Sequence, residues 1–372
     1  MALAWCAERE AGKCVAMISI AAMVLIATPP PLLVRVLEHE RPVRVHLGGK
    51  ELTCDGAPLD PEVDVALGLR ELEVGASACG EVSAVGDIAV TVQGTEGVHR
   101  YPGKLKLTLA GAGIQLVNEI DVEDYLPSVV AAEAGASKPA ALEAQAVVSR
   151  TYALASRHRH GSAGYDLCDL AHCQVYRGSG AESGAAKAAV AATRGQVLLA
   201  GGVALRPAFF HASCGGHTSR PQDVFGEEGP GSAVPDVDKG GPRCREAPDF
   251  KWDFVVPRED LAEALGVAAN GNAVEVLRRD PGGRLVEVRA FGKHFSGEEL
   301  IARIGRAFGY RSVPSTKMTV EEVDSQVRFA GSGRGHGVGL CQAGAAALAK
   351  EGATWKAILG RYFPDARVAP AP

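Results

Sequence analysis

The sequence predicts an α+β protein in which β-rich lobes flank one helical segment. Two observations predict it. Past an apolar N-terminal stretch, the chain up to residue 118 alternates polar and apolar residues between Gly, Asp and Pro, the period of strands. At Asp121 the period becomes helical, and from there strands and helices mix without strict β-α alternation, which disfavours a doubly wound parallel sheet.

The elements follow in order. Arg9 and Lys13 precede the apolar run CVAMISIAAMVLIAT, Cys14 to Thr28, which Pro29, Pro30 and Pro31 close. The run is shorter than the roughly 20 residues a spanning helix needs. Residues 1–30 are therefore expected to be a secretion signal, or a membrane anchor if uncleaved, and the rest of the chain to be exported. LLVRVLEHERPVRVHL, Leu32 to Leu47, and the later ELEV, IAVTVQ and KLKLTLA read as strands, giving a β-rich part over 31–118. VEDYLPSVVAAE reads as a short helix, with Pro127 expected to mark a start or a kink. In the next helix Ser137 is the expected cap, Pro139 suits the first turn, and Leu142, Ala146, Ser149 and Ala153 share one face. The loop HRHGSAGYDLCDLAHCQVYRGSG follows, then a helix, AKAAVAATRG, ended by Gly195. QVLLA and VALRPAFFHAS read as strands, so 119–240 is a segment of its own. Residues 241–372 hold a hairpin turned at Asp280–Gly283, a helix over 297–308, and a Gly-rich loop entering the first of two C-terminal helices.

Composition narrows the function. The chain has 372 residues, 47% hydrophobic and 22% charged, enough to bury one large core or two to three lobes. A net charge of −5 without an aromatic-interleaved basic patch argues against a nucleic-acid partner. Nine cysteines occur, and seven lie beyond the leader: Cys54, Cys79, Cys168, Cys173, Cys214, Cys244 and Cys341. Seven is odd, so at least one is unpaired, metal-bound or paired between chains. Cys54 and Cys79 are near enough in sequence to pair.

Three segments carry a resemblance. DVEDYLPSVVAAEAGASKPAALEAQAVVSRTYAL, HASCGGHTS and GSGRGHGVGLCQAGAAALAKEGATWKAILGRYFPDA, in that order and spacing, resemble the stage II sporulation protein D / LytB domain family. The resemblance runs over roughly residues 30 to 368. It implies a cell-wall function at the envelope. Sporulation-type members are lytic transglycosylases that cut peptidoglycan glycan strands, preferring strands stripped of stem peptides. LytB-type members are modifiers that stimulate a cell-wall amidase. The sequence departs from the pattern at Cys341, where Ser is usual, at GSAVPDVD, which lacks a common Tyr-Leu, and at Ile301-Ala302, where an Arg is usual.

The family's catalytic glutamate falls on Glu133. Cleaving a glycosidic bond needs a proton on the leaving oxygen, and a carboxyl group holds one near neutral pH only where apolar walls raise its pKa. Val129, Val130, Ala131, Ala132, Ala134 and Ala136 are candidates for those walls. Most glycosidases need a second carboxylate, whereas a lytic transglycosylase uses the muramic C6 hydroxyl as its own nucleophile, so one acid suffices. The plainer alternative is a solvated acid at a helix end. Arg150 and Tyr152 match family positions, where they orient the glutamate, bind sugar or pack the helix.

CDLAHCQVY gathers Cys168, His172 and Cys173, with His158 and His160 upstream. Thiolates and imidazoles at such spacing are zinc-ligand types. Some relatives hold zinc at a His/Cys/Cys set in this loop. The matching positions are Cys168 and Cys173 with His160, His158 or His172. A Cys168–Cys173 disulfide is the rival in an oxidising compartment. The Gly-rich loops HASCGGHTS and GRGHGVGLCQAG permit close backbone approach to a ligand. They offer His211, Ser213, His217, Thr218, His336 and Gln342 for sugar hydrogen bonds, or as residues that hold turns. No nucleotide loop is present, since the Lys-Ser/Thr of a P-loop is missing.

Overall fold

Alternation in the first strand sets the fold. In Leu32–Val36 the residues Leu32, Val34 and Val36 are buried, while Leu33 and Arg35 face partly outward. The computed structural model describes residues 30–248 and 250–372, and residues 31–372 form one compact unit. The expected N-terminal leader lies outside the described residues. Leu32–Val36 pairs antiparallel with Gly113–Ile120, which continues through His99–Ala110, Val82–Val92 and Arg44–Gly48 to the edge at Ser77–Cys79. A disulfide joins Cys54 to Cys79, as their positions suggested. On the other side, the short strand Leu167–Cys168 runs parallel to the first strand, with Val34 opposite Leu167. That pairing brings the cysteine-bearing loop onto the sheet.

Eight helices occur among the described residues: α1 (Val122–Ala134), α2 (Pro139–Ala155), α3 (Gly184–Ala192), α4 (Pro221–Phe225), α5 (Arg258–Leu265), α6 (Gly297–Phe308), α7 (Gln342–Lys350) and α8 (Trp355–Tyr362). The mixed, strand-rich α+β architecture is the one the sequence predicts. Two details differ. Helix α1 starts before Pro127, because the Asp121 carboxylate caps it by accepting the Glu123 N–H at 2.8 Å. Pro127 sits inside the helix, buried, with one intrahelical bond missing. Ser137 does not cap α2; its hydroxyl donates to the Ala134 carbonyl at 2.8 Å, and Lys138 occupies the cap position.

Helix α2 is apolar on more than the one face expected. Leu142, Ala146 and Ala153 join the core beneath the large sheet, while Ala144, Val147 and Val148 join a second core with α7 and α8. A third core lies within residues 252–329, between the hairpin strands, α5 and α6. Alanine at the α2 crossings lets neighbouring elements approach closely.

Arg150 is fully buried on α2. Its Nε and Nη2 donate to the two carboxylate oxygens of Glu123, each at 2.8 Å, and its remaining donors reach the carbonyls of Gln196 and Val190. Glu123 also accepts the Gly195 N–H at 3.1 Å. This bidentate pair ties α1, α2, α3 and the strand Gln196–Ala200 together. Replacing Arg150 by Met strands a buried carboxylate, and we expect a loss of about 3–5 kcal/mol in urea unfolding. The double change Arg150→Met with Glu123→Leu recovers most of that loss.

Candidate functional site

The strand Phe210–His211 runs parallel to Leu340–Cys341, with His211 opposite Cys341. Bridges between Ser213 and Arg334 and between Ser219 and Val338 extend the contact. The two Gly-rich loops therefore lie side by side. Gly339 shows why glycine is needed: its φ is +73°, and a Cβ there would stand 2.2 Å from the Phe209 carbonyl oxygen. Gly339→Ala should cost more than about 1 kcal/mol from conformation alone, the backbone clash adding to it. Thermal unfolding measures the loss.

Between these loops, the end of α1 and the cysteine-bearing loop lies a cleft of about 700 Å³. Glu133, Tyr152, Arg159, His172, Cys173, Phe209, Phe225, Arg334, His336 and Gln342 are on its wall. Glu133 stands in the last turn of α1, half-buried, its Oε1 accepting the Val175 N–H at 2.8 Å. Burial raises its pKa above the ordinary glutamate value, while the Val175 N–H and the Arg177 guanidinium oppose that rise. Val129 and Val130, expected as its walls, pack into the sheet core instead. The loop of residues 171–175 stands over the acid.

The sign of the stability effect follows. A carboxyl whose folded pKa is raised is stabilising in its protonated form, and that contribution is lost as pH rises through the raised value. Glu133→Gln keeps an acceptor for the Val175 N–H without a charge. We expect it to melt higher than the parent at neutral and alkaline pH, with the difference shrinking as pH falls below the ordinary glutamate range.

Tyr152 is buried, hydrogen-bonds Cys173 through its hydroxyl and meets Phe209 edge-on, ring centroids 5.9 Å apart. His336 accepts the Val338 N–H at Nδ1 (3.0 Å) and donates to the Phe210 carbonyl. Its pKa is pushed down to about 4, first by burial and then by the Arg284 guanidinium, so it is a neutral wall with both nitrogens engaged. Gln342 begins α7 and donates through Nε2 to the side-chain Oε1 of Gln145 at 3.3 Å.

His211 is buried and also lies on the cleft wall, whereas Arg150, Ser213, Thr218 and His217 do not line it. Arg150 is committed to Glu123. Ser213 is buried in the bridge to Arg334. Thr218 donates to the Ser232 carbonyl and accepts the Val234 N–H, and His217 is hydrogen-bonded to the Thr218 carbonyl at 2.7 Å. These side chains hold the loop from behind.

His160, Cys168, His172 and Cys173 come together, all four ligand atoms within 4.8 Å of one another. His160 Nε2 lies 3.4 Å from Cys173 Sγ, and His172 Nδ1 lies 3.7 and 3.5 Å from the sulfurs of Cys168 and Cys173. A tetrahedral zinc with the usual Zn–S and Zn–N lengths has ligand-to-ligand edges of roughly 3.5–3.8 Å. The donor set and its spacing fit that ion. Both thiols are free, and the Cys173 thiol is held down to about 6, chiefly by a hydrogen bond from Cys168. His158 stands apart, solvent-exposed beside Asp166.

Several wall residues carried no signal recognised in the sequence. Phe209 and Phe225 pack at 4.8 Å, and Arg159 and Arg334 supply positive charge. The paired Phe209-Phe210 beside a Gly-rich loop, in a chain only 5% aromatic, was the available clue.

Comparison with known proteins agrees with this layout. The stage II sporulation protein family model matches residues 110–199, which span α1, α2, α3 and the cysteine-bearing loop. Stage II sporulation protein D of Bacillus subtilis is 26% identical over 318 residues, covering 80% of this chain and 88% of that protein. Over these residues the chain is similar to the stage II sporulation protein D family. An uncharacterized protein of Brachyspira hyodysenteriae is 29% identical over 307 residues, covering 81% of this chain and 79% of the other. An amidase enhancer of Bacillus subtilis is 28% identical over 270 residues, covering 60% of this chain and 37% of that protein.

Proposed function

We propose that the protein acts at the cell envelope as a lytic transglycosylase on peptidoglycan glycan strands, with Glu133 as its acid and base. The observation that carries this reading is a carboxyl with a raised pKa inside a cleft sized for a sugar chain. Glu227, the other acid on the cleft wall, is exposed. Protonated Glu133 gives its proton to the glycosidic oxygen as the bond to the muramic anomeric carbon breaks. The carboxylate then takes the C6 hydroxyl proton as that oxygen bonds to the same carbon. The products are a free hydroxyl and a 1,6-anhydro end, with no water consumed. Tyr152, Phe209 and Phe225 offer faces and edges for sugar rings, and Gln342 offers a polar contact.

His160, Cys168, His172 and Cys173 are the residues that would hold zinc. With four protein ligands such an ion supplies structural closure rather than an open reactive position. It would fix the loop carrying Val175, whose N–H orients Glu133.

Export and envelope location rest on the N-terminal apolar run and on the family. Among the described residues no helix is long and apolar enough to cross a membrane.

Digestion of purified glycan strands, with and without stem peptides, tests the reading. We expect 1,6-anhydro products on mass spectrometry, and at least a thousandfold loss in Glu133→Gln. Because Glu133 must be protonated, activity falls on the alkaline side, and Arg177→Gln moves that limb to higher pH by removing a cation that favours the carboxylate. A folded protein that yields no anhydro product on either substrate, zinc-loaded or zinc-free, would sink the enzyme reading. The amidase-enhancer relative supports the second reading, a wall-binding module that stimulates an amidase; faster amidase turnover with Glu133→Gln as with the parent would favour it.

A further inference from the structure

A second group of thiols lies behind the cleft and has no part in the proposed chemistry. Cys214, Cys244 and Cys341 are all buried and free, and they come from the first Gly-rich loop, the turn Arg243–Glu246 and the residue capping α7. We propose that Cys214, Cys244, Cys341 and His211 form a second, thiolate-rich zinc site.

Four observations carry it. Cys214 Sγ lies 3.7 Å from Cys244 Sγ, and a His211 ring nitrogen and the sulfurs of Cys214 and Cys341 lie within 4.8 Å of one another. The sulfur pair already has the spacing of two thiolates on one tetrahedral zinc, roughly 3.8 Å. Second, backbone donors converge on sulfur: Cys214 N–H and Gly344 N–H on Cys341, and Gly216 N–H on Cys214, each at 3.3 Å. Such donors favour thiolates, the form that binds metal. Third, His211 has the arrangement of a ligand. Its Nδ1 is hydrogen-bonded to the Val338 carbonyl at 3.1 Å, while Nε2 is buried with no hydrogen-bond partner among the described residues. Fourth, charge balances. Zn²⁺ with three thiolates and a neutral imidazole leaves one net negative charge, and the fully buried Arg284 guanidinium donates to the Cys214 carbonyl at 3.0 Å beside it.

The odd number of thiols argues the same way. A disulfide within this group leaves a third buried thiol unused, whereas Cys₃His is a complete zinc set. Asp236 lies beside the group: one oxygen accepts from Tyr362 (3.0 Å), and the other faces Arg361 at 3.4 Å. In the metal-free protein the first oxygen also accepts the Cys214 thiol proton (3.3 Å), which metal binding would release. Thiolate with imidazole selects a borderline-soft ion over magnesium or calcium. The ion would clip the two Gly-rich loops to α7 and leave Glu133 untouched.

The test is metal content of the full chain, made with zinc and reductant and measured by mass spectrometry of the elements. Two zinc ions per chain are expected. Cys168→Ser with Cys173→Ser should retain one, and Cys341→Ser, like Cys244→Ser, should lower the parent from two to one. Should the first variant fail to fold, the Cys341→Ser count on the otherwise intact chain decides. The proposal is overturned if a folded Cys168→Ser/Cys173→Ser protein carries no zinc, if Cys341→Ser leaves the parent's zinc count unchanged, or if peptide mapping of protein kept in reductant shows Cys214 joined to Cys244. None of these readouts depends on glycan cleavage.

Discussion

The buried pair between Arg150 and Glu123 is the constraint on which the site rests. It contributes little net stability, because two charges leave water to make it. What it fixes is geometry. A bidentate contact tolerates one orientation of α1 on α2, and the same guanidinium holds the carbonyls at the end of α3 and the start of the following strand. Glu133 stands at the far end of α1. Its place in the cleft is thus set by an ion pair near the opposite end of that helix. The buried position of Arg150 keeps it out of the cleft, and what it holds is the packing of α1 on α2.

The opposite wall is held by a parallel logic. Arg284 reaches from the hairpin turn to Ser315, to the Gly335 carbonyl and to the Cys214 carbonyl. Asp280, in the same turn, accepts from Ser219 and from the Arg284 N–H. The hairpin therefore buttresses both Gly-rich loops from behind. A Cβ on Gly337 would meet Arg284 Nε at 2.2 Å, so the loop needs glycine there to let the guanidinium through. Loops without side chains cannot hold their own shape; buried arginine donors supply it.

Much of this was legible in the sequence where the signal is local. Strand alternation, the hairpin turn, the Pro139 helix start and the lone acid Glu133 in an apolar run each depend on neighbours within a few residues. The zinc-type ligands were legible as a set, but their membership was not. His160 enters because the His160–Tyr165 bridge folds its ring back toward Cys173, and His158, two residues away, points elsewhere. Arg284 and Phe225 were invisible for the same reason: their roles arise from pairings across the fold. Ser213 and Thr218 read as sugar ligands because hydroxyls beside glycines look alike whether they face solvent or a carbonyl. Only the parallel pairing of Phe210–His211 with Leu340–Cys341 decides which way they turn.

That pairing also gives Cys341 a meaning that its departure from the family pattern did not. A serine at this position would cap α7 equally well through its oxygen. The sulfur does so here, accepting the Gly344 N–H, and in addition accepts the Cys214 N–H, while the parallel register brings His211 opposite it. A thiol in a dry core is an adequate small hydrophobe, so burial alone would not mark it. Three thiols converging with backbone donors aimed at them are different, because such donors strengthen as the sulfur gains negative charge. The arrangement suits metal-bound thiolates, for which the buried Arg284 would be the counter-charge.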